Sequence, residues 1–160
     1  MATQYGGYMG KVLKIDLTTK EVSEYPFSDR ERELFIGGKT MAAKILGDHL
    51  KGTEKAFSTE NLLVVTTGPL TGTGAPSASR FNISTVSPQT GYITSSNCGG
   101  HFGYYLKKAG LDALILTGQC EEKTWIEIQN DSVKFHNADD LWGMKTTRTQ
   151  EILDDKLRMK

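Results

Sequence analysis

Two short, almost continuous apolar runs constrain this chain most. The first lies in "NLLVVTTGPL", residues 61–70, and the second in "DALILTG", residues 112–118. An unbroken apolar run of about four to eight residues that is bounded by Gly or Pro is typical of a strand buried on both faces. We therefore expect two buried strands, far apart in the chain, at the centre of the fold.

Further strands and a few helices are predicted around these runs. Alternating polar and apolar residues predict strands at 80–86 and 92–96, two strands within 11–25, and a hairpin of 124–129 with 132–136 around Asn130-Asp131. Apolar residues at helical spacing predict helices at 29–50, interrupted by two glycines, at 99–110 and at 146–160. Strands therefore dominate, and helices are few.

Composition excludes several classes of protein. The chain has 160 residues, enough for one domain with a core, and its 19 basic residues balance 19 acidic ones. We therefore expect neither nucleic acid nor a membrane surface as a partner. With no signal peptide and no apolar stretch near the ~20 residues of a membrane span, we expect a cytoplasmic protein. We then expect the two cysteines to be reduced thiols. Two are too few to hold a four-cysteine iron–sulfur cluster.

Two nucleotide-binding motifs are approached and missed. "GGKT", residues 37–40, would need a glycine at position 33 to form a phosphate loop, and that position is Glu33. "SSNCGGHFG", residues 95–103, would need a glycine at 98 for a dinucleotide fingerprint, and that position is Cys98. A plain nucleotide-binding protein is therefore a weak hypothesis.

Glycine-rich segments nevertheless follow two of the predicted strands. "GPLTGTGAPSASR", residues 68–80, is a loop by composition, and its small residues let backbone approach a ligand closely. Its composition is equally typical of a surface loop that binds no ligand. "SSNCGGHFG" lies between a strand and a helix, where free N–H groups suit a phosphate or a polar heterocycle. The alternative is a tight strand–helix turn.

Three side chains in these segments bear on function. Arg80 ends the loop and carries a five-donor fork for phosphate or carboxylate, unless it is only a solvated charge. Asn97 can both donate and accept, which suits the edge of a heterocycle. Cys98 is an improbable nucleophile, because no acidic residue is placed to orient His101 as its base.

The glycine-rich segments, taken together, resemble the N-terminal domain of the tungsten-containing aldehyde ferredoxin oxidoreductases. The resemblance extends over nearly the whole chain in order. It is carried by "GKVLKIDLTTKEV", "FIGGKTMAAKIL", "GPLTGTGAPSASRFN", "SPQTGYITSSNCGGHFG", "LKKAGLDALILTG" and "LWGMK". It implies an α+β fold, a β-rich domain of two sheets with a few short helices. It also implies an oxidoreductase that oxidises aldehydes to carboxylic acids and passes electrons to ferredoxin.

The resemblance also implies cofactors and the residues that contact them. Family members bind tungsten, or molybdenum, between two pyranopterins beside a [4Fe–4S] cluster. Arg80 matches the arginine between pterin and cluster, Asn97 and Gly99 match positions that contact the pterin, and Gly100 lies alongside. Small residues would then leave room for a flat pterin and its phosphate.

The family's further glycine-rich loop and its helical, cluster-binding domains are not in residues 1–160. We therefore expect a truncated N-terminal domain, whether a fragment, an excised domain or a subunit of a split enzyme. Its partners would be the remaining domains or a partner subunit. We expect the chain alone to be inactive, to hold no tungsten or cluster, and to self-associate through a face that is normally covered.

Two other functions stay open. "STVSPQT", residues 84–90, also resembles the active-site subunit of ATP-independent benzoyl-CoA reductases. The other alternative belongs to a different class of function: a non-catalytic, stand-alone domain for assembly or small-molecule binding. Tungsten or molybdenum that co-purifies with the native complex would favour the enzyme over such a domain.

Overall fold

The two apolar runs become the central strands of a six-stranded sheet. The computed structural model describes residues 3–130 and 132–158, and the sheet order is β2-β1-β6-β3-β4-β5. The strands are β1 Val12–Asp16, β2 Val22–Glu24, β3 Leu63–Thr67, β4 Phe81–Val86, β5 Ile93–Cys98, β6 Ala113–Thr117, β7 Thr124–Gln129 and β8 Ser132–Asn137. The helices are α1 Asp29–Phe35, α2 Gly38–His49, α3 Phe102–Lys108 and α4 Thr146–Arg158.

Strand β6 joins two parts of the sheet that are distant in sequence. It pairs in parallel with β1, with Val12 opposite Ala113, and antiparallel with β3 on its other side. Strands β3, β4 and β5 continue the sheet as an antiparallel meander. The separate hairpin of β7 and β8 forms the second sheet. This confirms the expected α+β fold of two sheets with few helices.

Both faces of the large sheet are covered, as the apolar runs predicted. Helix α2 packs its buried residues Met41 and Ile45 onto one face, against Val64 of β3 and Ile115 of β6. The other face carries Leu114, which packs in a second cluster with α3 and the β7–β8 hairpin. The site described below lies where the α2 cover ends, towards β4 and β5.

The alternation in β4 is confirmed, but its polar side is the more buried one. Asn82 and Ser84 are each 1% exposed, whereas Phe81, Ile83 and Thr85 are only partly buried. The polar side lies on the α2 face, because Asn82 and Ser84 stand opposite Thr66 and Val64 of β3. Strand β5, at the sheet edge, is largely exposed.

Two predicted segments extend outside the described residues. The β7–β8 pairing is as expected, while Asp131 of the predicted turn is not described. The last helix is described to Arg158, and residues 159–160 lie beyond. Across 3–130 and 132–158, no helix combines the length and apolar character needed to cross a membrane.

Candidate functional site

The glycine-rich loop between β3 and β4 is tied down at both ends. Thr67, the last residue of β3, donates from its backbone N–H and its hydroxyl to the carbonyl oxygen of Asp112, at 3.0 and 2.9 Å. At the other end, the Thr71 hydroxyl donates to the carbonyl oxygen of Arg80 at 3.1 Å. The backbone beside Arg80 is therefore held in place, although the loop itself is largely exposed.

Two glycines allow other segments to approach this loop closely. Gly103 of α3 faces it, and a Cβ there would lie 3.2 Å from the Thr71 methyl carbon and 3.4 Å from the Arg80 carbonyl oxygen. Gly7 has φ +86, and a Cβ there would lie 2.5 Å from the Pro69 carbonyl oxygen. Part of the glycine content around the loop thus serves packing.

A buried ion pair lies beside the β3 end of the loop, where the Asp112 backbone accepts from Thr67. Lys107 Nζ lies 2.6 Å from Asp112 Oδ1, and the two side chains are 4% and 2% exposed. The Asp112 carboxylate also accepts from the backbone N–H groups of Met9 and Gly10, at 2.9 and 2.8 Å. Burial raises the pKa of the neighbouring Tyr8 hydroxyl, and the Asp112 charge raises it further. The Asp112 carboxylate thus joins the N-terminal segment to α3, while its backbone carbonyl oxygen holds Thr67 at the end of β3.

An open cavity of about 500 Å³ lies on the α2 face of the sheet, beside this loop, and residues from both ends of the loop line it. Its floor and walls include Thr66, Gly68, Arg80, Phe81, Asn82 and Asn97. The Arg80 side chain is exposed and makes no hydrogen bond or ion pair within the described part of the chain. The cavity therefore offers hydrogen-bond donors that the protein itself leaves unused.

The structure brings two of the four predicted site residues into this cavity. Arg80 and Asn97 both line it. Gly99 and Gly100 follow the end of β5 and are exposed, and nothing lies within 4 Å of a Cβ built at either. Cys98 points to the opposite face from Asn97, because neighbouring strand residues alternate. Across residues 3–130 and 132–158, Cys98 has no hydrogen-bond partner.

The sequence interpretation missed a buried polar strip of Thr66, Asn82 and Ser84, of which Thr66 and Asn82 line the cavity and Ser84 does not. Thr66 donates from its hydroxyl to the Gly38 carbonyl oxygen at 2.9 Å, which ties the start of α2 to β3. The signal was present for two of the three, since Asn82 and Ser84 share one side of an alternating strand with Arg80. No group of three or more His, Cys, Asp or Glu side chains among the described residues is arranged to hold a metal ion.

Comparison with known proteins identifies the family. Residues 12–160 match the family described as aldehyde ferredoxin oxidoreductase, N-terminal domain. The chain belongs to this family. It is 37% identical over 96% of its length to a tungsten-containing aldehyde ferredoxin oxidoreductase of Thermococcus kodakarensis, and 35% identical over 94% of its length to that of Pyrococcus abyssi. It spans 25% of each of these relatives.

A solved structure shares the fold. It is the active-site complex BamBC of benzoyl coenzyme A reductase in complex with 1,5-dienoyl-CoA, matched with a TM-score of 0.92 at 37% identity. The match covers 96% of this chain and 23% of that one. Relatives with differently named activities therefore share this domain to the same degree, and the domain by itself does not distinguish between their substrates.

Proposed function

We propose that residues 1–160 form the N-terminal, pterin-binding domain of a tungsten-containing oxidoreductase that oxidises aldehydes to carboxylic acids and passes the electrons to ferredoxin. The observation that carries the proposal is the unused donor set of Arg80 and Asn97 in an open cavity, in a chain that belongs to this family. Relatives named as tungsten-containing support tungsten over molybdenum as the metal.

The residues present fit such a cofactor. A pterin edge and its phosphate are rich in acceptors, and a guanidinium fork with an amide supplies matching donors. Arg80 and Asn97 would hold the cofactor, while Gly99 and Gly100 would leave space for it beside the end of β5. The tungsten bis-pyranopterin, together with a [4Fe–4S] cluster held by other domains, would supply the redox chemistry of the complete enzyme.

Arg80 provides the test in the complete enzyme that contains this chain. We expect Arg80→Ala to lower activity per bound tungsten by about 10- to 100-fold, as for loss of other groups that support a metal centre. Arg80→Lys keeps the charge but loses the planar fork, so it should fall between the alanine variant and wild type. The measurements are dye-coupled aldehyde oxidation, tungsten content and a melting curve.

Arg148 on α4 is the matched control. It is exposed, pairs with Glu151 and does not line the cavity. Arg148→Ala should leave activity unchanged and alter stability by less than about 0.5 kcal/mol. Wild-type activity per tungsten in Arg80→Ala would remove Arg80 from the site and leave Asn97, Gly99 and Gly100 without support.

Benzoyl-CoA reduction is the second candidate, favoured by the solved structure that matches this chain. The complete enzyme distinguishes the two by its substrate: dye reduction with aldehydes supports the first, and dye reduction with a dienoyl-CoA thioester supports the second. A non-catalytic assembly domain is the third. It would be favoured if the native complex contained neither tungsten nor molybdenum.

For the isolated chain we propose self-association and the absence of activity, tungsten and cluster. Large apolar side chains are exposed on it, among them Phe57, Tyr92 and Trp142 at 87%, 78% and 63%. Because the chain spans 25% of its tungsten-containing relatives, the rest of such an enzyme would cover part of this surface, and an apolar patch left bare favours self-association. Sedimentation should show dimers or larger species, and a strict monomer would contradict this. We also place the protein in the reducing cytoplasm, which suits two free thiols.

A further inference from the structure

Asn82 is a buried amide whose hydrogen bonds all stay inside the sheet. Its Nδ2 carries two hydrogens and faces three acceptors, namely Ser95 Oγ at 2.7 Å, the Ser96 carbonyl oxygen at 3.2 Å and Asn97 Oδ1 at 3.2 Å. Its Oδ1 accepts from the Ser84 hydroxyl at 2.7 Å. The pairing of β4 with β5 places Asn82 directly opposite Asn97.

The surroundings leave only one orientation for the Asn82 amide. A backbone carbonyl oxygen can only accept, so the Asn82 atom that faces the Ser96 carbonyl must be the nitrogen. The amide oxygen then faces the Ser84 hydroxyl, which donates to it. The same nitrogen faces Asn97, and therefore the Asn97 atom that meets it must be the acceptor Oδ1.

This arrangement determines what Asn97 offers to the cavity. Its oxygen is engaged by Asn82, and its Nδ2 has no acceptor within the described residues. We infer that Asn82 is a positioning residue that makes Asn97 a hydrogen-bond donor towards the bound cofactor. The inference rests on the proposed function. It specifies that the cofactor edge facing Asn97 carries an acceptor, such as a ring carbonyl oxygen, and not an amino group.

The orientation is testable in the 160-residue chain without any cofactor. The probe is the rate at which side-chain amide protons exchange with water, measured by NMR on 15N-labelled chain, with Asn97→Ala identifying the Asn97 signals. In wild type, we expect fast exchange at Asn97 and slow exchange at Asn82. In Asn82→Asp, at a pH high enough to ionise the buried carboxyl, the carboxylate can only accept, so Asn97 should turn over and donate to it. Its exchange should then slow by about tenfold or more.

Ser84→Ala is the matched control. It removes the donor to Asn82 Oδ1 but leaves the Ser96 carbonyl to hold the Asn82 nitrogen towards Asn97. Exchange at Asn97 should stay as in wild type. Protected Asn97 protons in wild type, no slowing in Asn82→Asp, or equal slowing in Ser84→Ala would each overturn the inference.

Asn97→Asp gives an independent reading should Asn82→Asp not fold. It is measured together with Arg80→Ala, because the Arg80 guanidinium lines the same cavity and would itself lower a carboxyl pKa. A carboxylate at position 97 would accept from the Asn82 nitrogen, so its pKa should lie below the ordinary value of about 3.9. A carboxyl pKa above that value would show that Asn82 presents its oxygen and would overturn the inference. The pKa is read from the carboxyl carbon shift as a function of pH.

The complete enzyme then separates this inference from the proposed function. With the orientation established by NMR, Asn82→Asp should lower tungsten content by about tenfold even though Asn97 is present, and Ser84→Ala should not. Full tungsten content in Asn82→Asp would contradict the proposed role of the cavity. It would leave the measured orientation of the two amides standing.

Discussion

Replacing Asp112 by alanine should lower the free energy of unfolding by about 3–5 kcal/mol, the usual cost of breaking a buried ion pair. The change leaves the Lys107 ammonium buried without its counter-charge. It also removes the acceptor of the Met9 and Gly10 backbone N–H groups. Lys107 would keep only the Gly7 carbonyl oxygen, 2.6 Å away, among its present hydrogen-bond partners. Chemical denaturation at neutral pH measures the loss.

Asp140 is the matched control for Asp112. It forms an ion pair of similar length, 2.7 Å, with Lys156, but the side chains are 52% and 39% exposed. Asp140→Ala should leave the free energy of unfolding close to that of wild type, because water solvates the charge that is left behind. Equal losses of unfolding free energy in the two variants would mean that burial does not increase the cost of breaking the Lys107–Asp112 pair.

Replacing Ile45 by alanine should cost about 2–5 kcal/mol. Ile45 is 0% exposed and lies in the middle of α2, in the cluster that also contains Val64 and Ile115. Three carbon atoms are lost from a site that sheet strands and a helix enclose. The space left by the shortened side chain therefore cannot easily collapse. The loss is expected in the denaturation midpoint, with the slope unchanged.

Leu34 on α1 gives the comparison for Ile45. It is also an aliphatic helical residue, but it is 58% exposed. Leu34→Ala removes the same number of carbon atoms and should change stability by less than about 0.5 kcal/mol. A comparable loss at both positions would contradict the assignment of α2 as the helix that covers the sheet.

The elements of this fold were predictable because their signals are local. The apolar run of β3, the alternation of β4 and the glycine break between α1 and α2 each depend on neighbouring residues. The strand order was not predictable in this way. That β6 lies between β1 and β3 depends on packing between segments about a hundred residues apart, which no local pattern records.

The site was predictable only in part, for a related reason. Residue type and the family resemblance together pointed to Arg80 and Asn97, and both line the cavity. The role of Asn82 depends on its register opposite Asn97, which the connection between β4 and β5 determines. The Lys107–Asp112 pair likewise forms across the turn at Gly110, and in the sequence it resembles an ordinary pair of charges.

The position of β6 between β1 and β3 has a consequence for synthesis of the chain. Until residue 117 has been made, β1 and β3 lack the partner on the edge that faces β6, although β2 and β4 can already pair with their other edges. A nascent chain that stops earlier presents two unpaired strand edges. Such edges are templates for pairing with other chains. We therefore expect a chain that stops before β6 to aggregate more readily than the 160-residue chain, and β6 is the last strand of the large sheet to be made.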